Sequence, residues 1–176
     1  MTRPICGAPW GNRVPAMLVV LGACALAIGV LVYLTDRDPT RAALVRTVSE
    51  LPGSTLFGTV GGWLPSFTHA FAFSLFTAAI GRSGTADPAY GACALWWAID
   101  TTFELAQVPQ VSHGIVDAIE SALAPSWLTD AMVTYLVHGT FDVADLVAVA
   151  GGALAAAVVL RSLQQAGGIR TWLKSR

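Results

Sequence analysis

The chain has 176 residues, of which 55% are hydrophobic and 12% charged, with a mean hydropathy of +0.62. A water-soluble domain of this size cannot cover so much apolar surface with polar side chains, so composition alone places the chain in the membrane class. A net charge of −1 with a single lysine, Lys174, leaves no basic patch to neutralise phosphates and excludes nucleic acid as a partner. Cys6, Cys24 and Cys93 have neither metal-ligand nor redox spacing and read as small hydrophobes.

A hydrocarbon core about 30 Å thick takes roughly 20 mostly apolar residues of helix. Four stretches qualify: Val14 to Leu34, about Trp63 to Ile80, about Ala89 to Gln107, and about Phe141 to Leu160. The expected architecture is all-α: a polytopic bundle of four transmembrane helices, with spans at about 14–34, 63–80, 89–107 and 141–160, and short interfacial helices on the outer side. The membrane domain covers 14–162, between an N-terminal segment, 1–13, and a C-terminal tail, 163–176. The first run ends in Tyr33-Leu34-Thr35-Asp36-Arg37, without a small-residue cleavage site, and reads as an uncleaved anchor.

In the first connection, Asp38 can cap a helix with Pro39 at its first position. Leu44, Val45, Val48 and Leu51 then share one face before Pro52-Gly53 stops it, a pattern suited to lying flat in the headgroup region. Gly81 to Pro88 is rich in turn formers and makes a tight link between the second and third spans. The connection from Val108 to Gly139 has no lysine or arginine and offers two short helices, about Ile115 to Leu123 and Trp127 to Val137. Ser126 is placed to cap the second, with Asp130 in its first turn. Such a helix is too short to span, so this connection is interfacial or re-entrant. Trp63 and Trp127 suit interfacial anchoring, Trp96 and Trp97 mid-span packing, and Gly151-Gly152 with the alanines that follow a close helix contact.

Basic residues near span ends are retained on the cytoplasmic side. With both termini inside, Arg3, Arg13, Arg82, Arg161, Arg170, Lys174 and Arg176 are cytoplasmic and only Arg37, Arg41 and Arg46 are outside. The expected location is therefore the cell membrane, multi-pass, with cytoplasmic N and C termini and an anionic outer side.

Within the apolar runs one constellation stands out. Asp100, Glu104 and Gln107 are spaced i, i+4 and i+7 and fall within about 60° of one another on a helix face. A carboxylate at the bilayer centre costs at least roughly 2.5–3.5 kcal/mol, so the stripe must face the bundle interior or be protonated. His69 lies near the start of the second span, and Asp142 and Asp145 open the fourth. With alternating directions, His69, Glu104, Gln107, Asp142 and Asp145 come to similar depth on the outer side, with Asp100 deeper. A lone intramembrane histidine is commonly a helix-packing partner and Asp142 commonly a cap. Taken as a group, these residues point to a site. His113 and His138 read as solvated, although His138 is close enough to Asp142 to join it.

His69 followed by Phe71 and Phe73, then Glu104-Leu105-Ala106-Gln107, then Thr140-Phe141-Asp142-Val143-Ala144-Asp145 with Gly152 beyond, resembles the VanZ-like membrane family over about Trp63 to Leu160. The family's Asp-Lys pair before the histidine falls here on Pro65 and Ser66, its arginine before the last motif on Gly139, and its later asparagine on Val149. The acids are kept and the cations are not. The resemblance implies a cell-envelope role, since the type member is similar to a factor conferring low-level resistance to teicoplanin, a lipid-bearing glycopeptide.

The leading expectation is an outer-leaflet polar site that engages membrane lipid or an amphipathic envelope molecule, such as a glycopeptide or a lipid-linked precursor. A second is a membrane-embedded hydrolase of a lipid-linked substrate, with Glu104 and Asp145 as an acid/base pair or with His69, Glu104, Asp142 and Asp145 around a divalent metal. A nucleophile motif and a metal-spacing signature such as His-Glu-x-x-His are both missing, and no resident cofactor is expected. A third is proton-coupled transport, for which four spans require an oligomer.

Overall fold

The computed structural model describes residues 13–36, 56–81 and 88–174. The flat helix expected after Asp38 and most of the Gly81 to Pro88 link lie outside the described residues. Those described form six α-helices and no strand: α1 (Arg13–Asp36), α2 (Leu64–Ile80), α3 (Pro88–Ala106), α4 (Pro109–Ala122), α5 (Trp127–His138) and α6 (Val143–Lys174). A 3-10 turn at Gly58–Gly62 leads into α2.

The helix ends follow local chemistry. Pro65 sits in the first turn of α2, where its missing N–H costs nothing. Pro109 does the same for α4, which therefore begins well before Ile115. Ser126, in extended conformation, caps α5 through a reciprocal box: the Thr129 amide donates to Ser126 Oγ at 3.3 Å and the Ser126 amide to Thr129 Oγ1 at 2.8 Å. Ser126→Ala is expected to destabilise α5 by about 1 kcal/mol and Ser126→Gly by only a few tenths. Amide hydrogen exchange along Leu128 to Asp130 checks this, and equal protection in all three proteins would deny the box any energetic role.

The fourth apolar run starts its helix at Val143 rather than 141, because the Asp142 carboxylate accepts the Ala144 amide at 2.9 Å and so stands outside as the cap. At its other end α6 continues to Lys174, through the segment expected to form a separate tail. Nothing between Arg161 and Ala166 breaks a helix.

Among the described residues, two helices are long and apolar enough to cross a membrane, Val14–Asp36 and Val143–Gln165. α2 is apolar but has 17 residues. α2 is the hub and packs against α1, α3 and α6, while α4 and α5 pack on each other. α1 runs antiparallel to α2, since Gly29 abuts Thr68 and Gly22 abuts Phe76. α3 is also antiparallel to α2, with Asp100 against His69 and Trp96 Nε1 donating to Thr77 Oγ1 at 2.7 Å. α6 runs parallel to α2, with Ser66 at Asp145 near both starts.

Small residues make these approaches possible. Ala70, Ala72, Ser74 and Ala78 of α2 and Ala148, Ala153 and Ala156 of α6 are buried. Gly152 lies on the α2 backbone so closely that a Cβ there would overlap the Phe67 carbonyl oxygen and fall 3.2 Å from the Phe71 nitrogen. The packed core of Leu18, Leu75, Ala92, Cys93, Ala156 and Leu160 occupies the end of the bundle where α2 finishes. At the end where α2 begins, the helices separate around a cavity.

Candidate functional site

The cavity measures about 640 Å³ and is lined by all four long helices and by α5. Its position follows from two local features. Gly29 lets α1 approach α2 at the Thr68 hydroxyl, which is turned back onto its own helix at Pro65 O, 3.0 Å away. Beyond that contact, Val30 and Tyr33 of α1 form one wall. Asp36 then ties the end of α1 to the approach to α2, accepting the Leu56 and Phe57 amides at 2.8 Å each and the Thr35 hydroxyl at 2.7 Å.

The central polar pair is His69 with Asp100. The ring Nδ1 lies 3.0 and 3.1 Å from the two carboxylate oxygens. The Asp100 side chain is 9% exposed and that of His69 45%, so a buried carboxyl group holds a ring that faces open space. The ring also rests on aromatic neighbours, with Phe73 4.4 Å and Trp96 5.9 Å away between centroids. A carboxylate at Nδ1 selects the tautomer with hydrogen there and leaves Nε2 for exchange with a ligand.

One turn beyond Asp100, Glu104 also lines the cavity. Asp145 reaches its edge through Ser66, whose hydroxyl donates to Asp145 Oδ1 at 2.8 Å and which itself lines the cavity. Ser66 supplies the carboxylate with a neutral donor. Gln107 sits further along, hydrogen-bonded to the Tyr135 hydroxyl. Its amide fills the space above Gly139, where an added Cβ would fall 2.6 Å from the Gln107 amide carbon. Partial burial pushes the Tyr135 phenol above its ordinary range. The Gln107 hydrogen bond opposes this and nearby Glu104, Tyr33 and Asp100 add to it, so the phenol stays neutral at physiological pH.

The candidates read from sequence thus separate. His69, Asp100 and Glu104 share the cavity, Asp145 adjoins it, Gln107 braces its α5 wall, and Asp142 is exposed and serves as the α6 cap. Asp100 is the direct partner of His69, closer to the centre of the site than its depth in the span suggested. Among the described residues, no three His, Cys, Asp or Glu side chains converge as a metal site, so His69, Glu104 and Asp145 do not form a ligand triad there.

Sequence reasoning did not single out Ser66, Phe103, Met132, Tyr135 or Tyr33 as lining residues, or Asp36 as a tie. Met132 and Tyr135 are three apart on one face of α5, and that spacing is the signal that could have found them. No protein-family model, curated protein or solved structure matches the chain.

Proposed function

We propose that the protein is a four-span membrane protein of VanZ-like type whose cavity holds part of an amphipathic cell-envelope molecule in the outer leaflet. Both termini are then cytoplasmic, and α4 and α5 form a hairpin at the outer interface. The observation that carries this reading is the cavity itself, with mostly apolar walls and the His69, Asp100 and Glu104 side chains gathered within it. At about 640 Å³ it lies in the range of small-molecule sites and suits an alkyl chain with its polar end rather than a whole glycopeptide.

The inside-out pattern of the bundle supports the membrane setting. Val20, Leu95, Trp97, Val147, Leu154 and Val158 face outward, while alanine, glycine, serine and threonine fill the helix contacts. Only 22% and 33% of the most apolar stretches of α1 and α6 are buried within the protein. A soluble core helix would hide such a stretch, and lipid accepts it. α2 at 17 residues and α3 at 19 rise about 26 and 28 Å, near the lower limit for a span.

A sensitive Gram-positive host expressing the wild type should gain protection against teicoplanin, whose acyl chain fits the cavity's character, and not against vancomycin. Glu104→Gln at matched membrane levels should return teicoplanin susceptibility to that of the empty vector. Equal susceptibility in all strains would remove the envelope reading.

A second reading has its own observation, the His69–Asp100 pair, which is the geometry of an oriented general base. Turnover of a lipid-linked ester by the purified protein, lost in His69→Gln, distinguishes acid/base chemistry from binding alone.

A further inference from the structure

Three polar side chains of α2 line the cavity: Ser66, Thr68 and His69. Each spends its donor hydrogen inside the protein. The Ser66 hydroxyl donates to Asp145 Oδ1 at 2.8 Å and the Thr68 hydroxyl to Pro65 O at 3.0 Å. The His69 Nδ1 hydrogen is directed at the Asp100 carboxylate, 3.0 Å away. Thr68 is buried, whereas Ser66 and His69 are partly exposed and, three residues apart, stand side by side on one helix face.

What this wall offers a ligand is therefore lone pairs. His69 Nε2 has no hydrogen-bond partner among the described residues, and the ring is held in place by both Asp100 oxygens at Nδ1 and by the Phe73 and Trp96 rings. Ser66 Oγ, having given its hydrogen to Asp145, is left as an acceptor. A ligand that covers these two atoms without donating to them strands both, and each stranded acceptor costs about as much as a lost hydrogen bond.

That requirement rejects most polar ends. A phosphate diester, a carboxylate or an ether sets lone pairs against lone pairs, and a quaternary ammonium has no hydrogen to give. A protonated amine donates but brings a charge to be balanced, while Asp100 is engaged by His69 and Glu104 has interactions of its own. A hydroxyl donates without charge, and two neighbouring hydroxyls match two neighbouring acceptors.

We infer that the ligand of this cavity carries an uncharged polyol, the end of a glycerolipid or of a glycolipid, whose hydroxyls donate to His69 Nε2 and Ser66 Oγ. The inference rests on the cavity being an amphiphile site and names the chemistry of the amphiphile's head.

The test uses the full-length protein in phosphatidylcholine nanodiscs, whose lipid head has no hydroxyl. The probes are decyl glycerol ether and decyl glucoside, each beside its fully O-methylated form, with partitioning into empty nanodiscs subtracted. Saturable binding of at least one hydroxylated compound about tenfold or more tighter than its methylated form is expected, and the pair with the larger difference tells a glycerol end from a sugar end. In protein labelled with nitrogen-15 histidine, the same compound should shift the His69 Nε2 resonance and the methylated form should not. The double variant His69→Leu with Asp100→Leu, which removes the acceptor without stranding the carboxyl group, should erase the preference and identifies that resonance by its absence. The wild-type comparison decides the matter even if that variant does not fold. Equal affinity within both pairs, a preference without a shift of Nε2, or one that survives the double variant would overturn the hydroxyl inference and leave the amphiphile site standing. Binding of none of the four compounds would overturn both.

Discussion

Gly152→Leu is expected to abolish recovery of monodisperse, folded protein after extraction in mild detergent. The missing side chain is what lets α6 reach the backbone of α2, and the atoms a Cβ would strike are the Phe67 carbonyl and the Phe71 amide nitrogen, neither of which can rotate away. The two helices must therefore separate. Separation opens the packed core that Leu75 and Ala78 of α2 share with Ala153 and Ala156 of α6, and over-packing of this kind typically costs about 1–3 kcal/mol even for modest insertions. Gly152→Ala should fall in that range and Gly152→Leu beyond it. Gly151→Ala provides the contrast: its Cβ would lie 3.6 Å from the Phe67 ring, an ordinary contact, and its thermal stability should match the wild type. Size-exclusion profiles after a temperature series measure all three, and equal behaviour of the two alanine variants would contradict the close approach at Gly152.

The second large effect is at the buried pair. His69→Leu should destabilise the protein by about 1–3 kcal/mol, because it leaves the Asp100 carboxylate buried without its donor. The upper part of the range for broken buried pairs is discounted here because the imidazole itself is about half exposed. Asp100→Asn keeps an acceptor for Nδ1–H and should cost less. The combination His69→Leu with Asp100→Leu should recover part of the loss of His69→Leu, since replacing both partners by apolar groups removes the stranded charge. A double-mutant cycle from thermal unfolding in detergent reads this directly, and strictly additive losses would mean that the two side chains do not depend on each other.

How much of this was visible in the sequence depends on contrast. A carboxylate or imidazole within an apolar run stands out because its insertion cost demands a reason, and so His69, Asp100 and Glu104, which line one cavity, were legible as a group. Their pairing was not. Counting depth from the ends of the runs set His69 level with Glu104 and Gln107, whereas the axial offset of α2 against α3 matches it with Asp100, about one turn deeper. The offset is fixed by contacts such as Trp96 to Thr77, and no local pattern encodes it. Tyr33, Phe103 and Tyr135 were hidden for the opposite reason: in an apolar helix, an aromatic residue that lines a cavity looks the same as one that packs or anchors. Asp142, grouped in the sequence with the polar site, caps α6 instead, whereas Ser126 was well determined as a cap, since it acts on its immediate neighbours. The tie made by Asp36 was not, because its partners at Leu56 and Phe57 are twenty residues away and are backbone amides that any sequence would offer.

The position of α2 at the hub has a consequence for how the chain is made. α2 emerges from the ribosome with α1 already present to cover one face, but the face that receives α6 stays open until α6 is synthesised. Phe67 and Gly152 are 85 residues apart, a delay of about 4–17 s at ordinary elongation rates. During that interval a short helix rich in alanine and phenylalanine, with the Phe67 carbonyl side uncovered, is held without α6. Chains that stop before α6 are therefore expected to be less stable than those that include it.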